Sequence, residues 1–78
     1  MKGALAYIRT HYGVPARRGG RIRYEGKLGT ITGADTDLIV KPDERYYDST
    51  RWYCHPTWHI EYLDKQGRVI WRAKEATA

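Results

Sequence analysis

Gly20-Arg21-Ile22-Arg23-Tyr24-Glu25-Gly26-Lys27-Leu28-Gly29-Thr30-Ile31-Thr32-Gly33 alternates polar and apolar residues, broken by glycine. A period of two is the mark of a half-buried strand. Arg21 to Tyr24 therefore reads as one strand, with Ile22 and Tyr24 inward and both arginines toward solvent. Glu25-Gly26-Lys27 turns the chain, and Leu28 to Thr32 returns as a second strand. Gly29 and Gly33 fall where a tightly bent sheet needs a bulge or a close backbone approach.

Downstream the pattern repeats. Ala34 to Thr36 turns again, and Leu38-Ile39-Val40, apolar on both faces, is expected to be the most buried strand. Pro42 to Arg51 is rich in turn-forming residues and reads as a long loop. Trp52-Tyr53-Cys54 is a short strand stopped by Pro56. Trp58 to Tyr62 alternates, which puts Trp58, Ile60 and Tyr62 on one inward face. Asp64-Lys65-Gln66-Gly67 is a hairpin turn leading to a last strand, Arg68 to Arg72. Ala73 to Ala78 reads as a frayed tail.

Upstream the period is helical. Leu5, Ile8 and Tyr12 share one face of a helix over residues 3–12, with Gly13 at the C-cap position and Pro15 beyond it. A helix this short is marginal alone, so it must dock on the strands. Seventy-eight residues make one domain over residues 1–78. The expected fold is mainly β: a small SH3-like antiparallel barrel over residues 20–72 behind a short N-terminal α-helix. Closure spares a tiny sheet its exposed edges. Ile22, Ile31, Val40 and Ile60 should be hidden inside it, with the guanidinium groups outside.

Composition narrows the function classes. The chain has no Phe, seven Tyr and three Trp, so most of its large apolar groups carry a polar tip that needs a partner when buried. The single Cys54 can form no internal disulfide, which points to the cytoplasm. No apolar run is long enough to span a membrane, and Met1 to Ala6, soon followed by Arg9, does not read as a signal peptide. The net charge is +5 and unevenly spread. Arg9, Arg17, Arg18, Arg21, Arg23 and Lys27 stand against Glu25 alone, whereas Asp35, Asp37, Asp43, Glu44 and Asp48 crowd the middle. Such asymmetry can steer an anionic partner to one side.

Gly20, Ile22, Gly26, Gly29 and Ile31, with Leu38-Ile39-Val40 after them, resemble a KOW-type unit. That resemblance implies an SH3-like barrel of the kind common in RNA- and ribosome-associated proteins. A second likeness runs through Tyr12 to Tyr24, Gly29 to Ala34, and His55-Pro56-Thr57-Trp58 with Glu61-Tyr62-Leu63. These stretches resemble short uncharacterised proteins of bacteriophages and prophages. That likeness implies an accessory protein in a bacterial cytoplasm and supplies no activity.

Two groups of residues are candidates for binding. Arg17, Arg18, Arg21, Arg23 and Lys27 form a basic face able to contact phosphates of a nucleic acid or nucleoprotein, with Gly19-Gly20 allowing close approach. The plainer reading is a solvated face, paired in part with the acidic loop of the same molecule. Tyr46, Tyr47, Trp52 and Tyr53, together with Trp58, form the second group. Rings beside arginines stack single-stranded bases, and Trp, Tyr and Arg also anchor protein interfaces. The acidic neighbours Asp43, Glu44 and Asp48 favour a protein partner there, such as a host or defence protein to be inhibited. The plainer reading places Tyr53 and Trp58 in the core. Burial of surplus rings between copies, in a homo-oligomeric structural protein, is a third reading.

Chemistry finds little purchase. Cys54, His55 and His59, with His11 distant, lack the spacing of a structural zinc site, so no metal or other cofactor is expected. Neighbouring strand residues face opposite ways, so Cys54 and His55 make a poor dyad. No phosphate loop or dinucleotide fingerprint occurs. The expectation is a protein that is not an enzyme, with no small-molecule substrate.

Overall fold

Leu5 and Ile8, one turn apart on α1 (Ala4–Tyr12), are buried and pin the helix to the sheet, where it packs on β2. The helix stops at Gly13, which takes a left-handed φ of 67° while its N–H donates to the Arg9 carbonyl. A side chain is strained in that conformation, which is why glycine ends helices this way. The computed structural model describes residues 3–44 and 51–73. The strands are β1 (Arg21–Tyr24), β2 (Lys27–Ala34), β3 (Leu38–Pro42), β4 (Trp52–Cys54), β5 (Ile60–Leu63) and β6 (Val69–Arg72).

All six belong to one antiparallel sheet in the order β4-β3-β2-β1-β5-β6. β1 to β4 are a meander, and β5 then returns to the other side of β1. Glu25 and Gly26, both at positive φ, make the tight β1–β2 turn inside the closing pair Tyr24 and Lys27. Gly29 is the close approach foreseen in the pattern: a Cβ there would lie 2.6 Å from Val40 Cγ1 and 3.0 Å from the Lys41 carbonyl oxygen. The ladder between β2 and β3 slips by one residue between Ile31 and Gly33, which is the expected bulge.

The sheet is rolled over its buried face. In a flat sheet β4 and β5 would stand four strand spacings apart, about 19 Å. Here the short link of residues 55–59 joins them, and Tyr62 on β5 donates its hydroxyl to the Pro56 carbonyl, 2.7 Å away. The Tyr24 ring on β1 also lies 6.1 Å from Trp52 on β4, although β2 and β3 separate their strands. Among the described residues no ladder joins β4 to β5 or β6, so the sheet stays open along that seam.

Inside the roll lie Ile22, Ile31, Leu38, Val40, Cys54, Ile60 and Tyr62, all 1% exposed or less. Leu5, Ile8, Val14, Ala16 and Ala73 complete the same cluster. Each large aliphatic side chain buried this way contributes about 1.5–3 kcal/mol. The four aliphatic residues expected inside are therefore there. Leu38 and Val40 are fully buried, while Ile39 between them is half-buried on the outer face.

Two expectations fail locally. Trp58 is 62% exposed and does not share the inner face of Ile60 and Tyr62. β5 begins only at Ile60, because the turn at Pro56-Thr57 and the left-handed His59 (φ 56°) break the extended backbone before it. Alternation therefore cannot be carried back to Trp58. Ala73 is not the start of a frayed tail: it is buried, and its N–H donates to the Ile60 carbonyl at 3.0 Å.

Candidate functional site

The outer face of β1 carries Arg21 and Arg23, as the alternation requires, but both are matched by carboxylates. Arg21 presents its fork to Asp43, with Nη1 and Nη2 donating over 2.7 and 2.6 Å, and Nη1 also donates to the Thr30 hydroxyl at 2.8 Å. Arg23 donates Nε to one oxygen of Glu61 at 2.7 Å, and Arg72 donates Nε to the other at 2.8 Å. The register explains both contacts, since Glu61 stands opposite Arg23 on one side and Arg72 on the other. Hydrogen bonding to Arg21 holds the Asp43 carboxyl below its ordinary pKa and raises that of Arg21. Hydrogen bonds from Arg23 and then Arg72 do the same for Glu61. The plainer reading of this face is therefore realised for Arg21, whose partner comes from the acidic stretch.

Arg17 and Arg18 are placed differently. They enter β1 from the connection after α1 and are exposed. Arg18 donates to the Thr32 carbonyl, which orients its guanidinium without neutralising it. Both border a cavity of about 390 Å³ with Pro15, Leu63 and Ile70 among its apolar lining residues and Lys65 beside them. Ile70 is 53% exposed there. Among the described residues no ion pair engages Arg17, Arg18 or Lys65. Asp64 also lines the cavity, its Oδ1 accepting from the backbone N–H groups of Gln66 and Arg68. Gly19 and Gly20 offer no spare amide, because their N–H groups donate to the carbonyls of Ile31 and Arg17. Lys27 sits beyond the other end of β1, about 10 Å of strand away from this lip. The predicted basic cluster thus divides into a cavity lip, a paired face whose Arg21 also lines the cavity, and a distant turn.

The second predicted group also divides. Tyr46 and Tyr47 lie outside the described residues. Trp52 is half-buried and packs against the core, while Tyr53 is 55% exposed, with its hydroxyl 3.4 Å from Arg51 Nη1. Neighbours on one strand face opposite ways, so these two do not form one patch.

A column of rings is the feature that sequence reading missed. Tyr7 stacks on His11 at 5.1 Å, and His11 meets Tyr12 edge-on at 4.7 Å. Tyr12 meets His55 edge-on at 5.5 Å, and His55 stacks on Trp58 at 4.1 Å with planes 14° apart. Tyr7 and Trp58, at the two ends, are each 62% exposed. Tyr7 and His11 are four residues apart on one helix face, and that spacing was available as a signal. The junction from Tyr12 to His55 depends on the tertiary fold. His55 is oriented by accepting at Nδ1 from the Thr57 N–H, 3.1 Å away. Residues 3–24 and 51–60, which carry the whole column, contain no Asp or Glu and hold Arg9, Arg17, Arg18, Arg21, Arg23 and Arg51.

Cys54 lies wholly inside, where burial first, then Asp37 and Glu25, push its thiol up to about 12. A thiol in that state is a packing group and a poor nucleophile. Among the described residues no three His, Cys, Asp or Glu side chains group as metal ligands, and no helix is long and apolar enough to cross a membrane. No protein-family model, curated protein or solved structure matches this chain.

Proposed function

We propose that this chain is a non-enzymatic binding module that takes a nucleic acid or nucleoprotein at the cavity lip formed by Arg17, Arg18 and Lys65. The observation that carries the reading is the convergence of these three cations from segments far apart in sequence. They stand over apolar Pro15, Leu63 and Ile70, with no carboxylate paired to them among the described residues. Arginine and lysine so placed give affinity that depends on salt and little on sequence. Arg21 and Arg23 have no such role in this reading, because their charge is already met.

Two further assignments belong to the same proposal. The meander of β1 to β4, with β5 returned to β1 and the whole sheet rolled over one core, supports reading the fold as an SH3-like small barrel left open at one seam. The glycines of the KOW-like pattern and the phage-like stretches support an accessory role in a bacterial cytoplasm. The test is an anisotropy titration with labelled random-sequence DNA and RNA. Binding should be present at low salt and fall steeply between about 50 and 200 mM. Absence of binding at low salt rejects the reading.

One observation favours a protein partner instead. Exposed Tyr53 on β4 stands directly across from half-buried Ile39 on β3, an aromatic–aliphatic pair on the outer face. Rings so placed anchor protein interfaces. If Tyr53→Ala abolishes capture of a host protein while the anisotropy titration stays blank, this second reading replaces the first.

A further inference from the structure

We propose that the ring column ending in Trp58 is a stacking platform for unpaired nucleobases, which makes the polyanion of the preceding section single-stranded. The inference rests on that reading and adds the strand state of the ligand.

His55 covers one face of the Trp58 indole in a nearly parallel stack at 4.1 Å, yet Trp58 is 62% exposed. The exposed area must then include the opposite face. A flat ring stacked on one side and open on the other can be continued by a further flat ring. The imidazole behind it is held in place by the Thr57 N–H and by the edge of Tyr12, so the platform is set before a ligand arrives. Tyr7 ends the other side of the column in the same way, stacked on His11 and open to solvent.

Charge then chooses among ligands. The two segments that build the column carry no carboxylate of their own, but their Arg21 and Arg23 are paired. The Glu25 N–H also donates to the His59 carbonyl beside Trp58. The charge that selects a ligand is therefore that of the lip. A ring open on one face and within reach of the cationic lip suits bases joined by phosphates. Tyr12 in the column is also only three residues from Pro15 at the cavity, at most about 11 Å along the chain. Trp58 lies two ring contacts beyond Tyr12, so a strand of several nucleotides has the length to reach both Trp58 and the lip. Duplex DNA hides its base faces and could use only the lip.

The test compares three probes of matched length on the whole chain: a thymidine 12-mer, an abasic 12-mer of equal charge, and a duplex. The thymidine strand should bind roughly tenfold more tightly than the abasic strand, the difference expected of one stacked base. Trp58→Ala should erase that difference and leave abasic and duplex binding unchanged. Trp58 is exposed, so the variant should keep its fold, and circular dichroism checks this. Equal binding of thymidine and abasic strands, or a difference that survives Trp58→Ala, overturns the platform and leaves the cationic lip standing. If none of the three binds at low salt, lip and platform fall together.

Discussion

The Tyr62 hydroxyl donates to the Pro56 carbonyl over 2.7 Å, inside the molecule, and ties β5 to the turn that follows β4. This contact fixes the turn between β4 and β5 on the side where the sheet has no ladder. Tyr62 is 1% exposed, so neither atom has water as an alternative. Burial also pushes the phenol well above its ordinary pKa, which keeps it a donor.

Tyr62→Phe should therefore destabilise the domain by about 1–2 kcal/mol, because the Pro56 carbonyl is left buried and unpaired. Urea unfolding of the two proteins measures it. An unchanged midpoint would mean that packing alone keeps the seam shut.

Gly29→Ala should cost about 1–3 kcal/mol. Its methyl would meet a buried, stiff Val40 side chain at 2.6 Å and a carbonyl oxygen at 3.0 Å, and neither can swing away. Gly33→Ala, where a Cβ meets nothing within 4 Å, is the control and should stay close to the parent. Thermal melts of the pair rank them.

Acid should weaken the fold through Asp43 and Glu61. Their folded-state pKa values lie below the reference values of 3.8 and 4.5. Their stabilisation is complete above those references and is lost as pH falls through the depressed values, so the loss develops below about pH 4. The pairs are partly exposed, so the effect is small and should shrink with added salt. Melts from pH 7 down to pH 3 of the parent and of an Asp43→Asn, Glu61→Gln double variant should converge at the acid end.

Arg17→Ala with Arg18→Ala should weaken oligonucleotide binding and reduce the slope of log affinity against log salt by about two. Removing the matched pair Arg21→Gln with Asp43→Asn should leave that slope unchanged, since the pair brings no net charge to the surface. A slope that moves only with the second set would move the phosphate contacts from Arg17 and Arg18 to Arg21.

Much of the architecture was legible in local pattern. Leu5 and Ile8 mark the helix, Gly13 ends it, and the alternation around Ile22 and Ile31 marks strands whose inward side chains are indeed buried. Local sterics and hydrophobic period act over a few residues, so they can be read without knowing the rest of the chain. Trp58 shows the limit: one left-handed residue, His59, broke a period that looked continuous.

The surface chemistry was decided by register and by the roll of the sheet. Arg21 and Asp43 are 22 positions apart, Arg23 and Glu61 are 38 apart, and nothing local brings them together. Pairing of β1 with β5 sets Glu61 between two arginines, and the roll brings His55 to the edge of Tyr12. A charge or a ring acquires its role from its neighbours in space, and those neighbours exist only once the backbone ladders have fixed which strands meet.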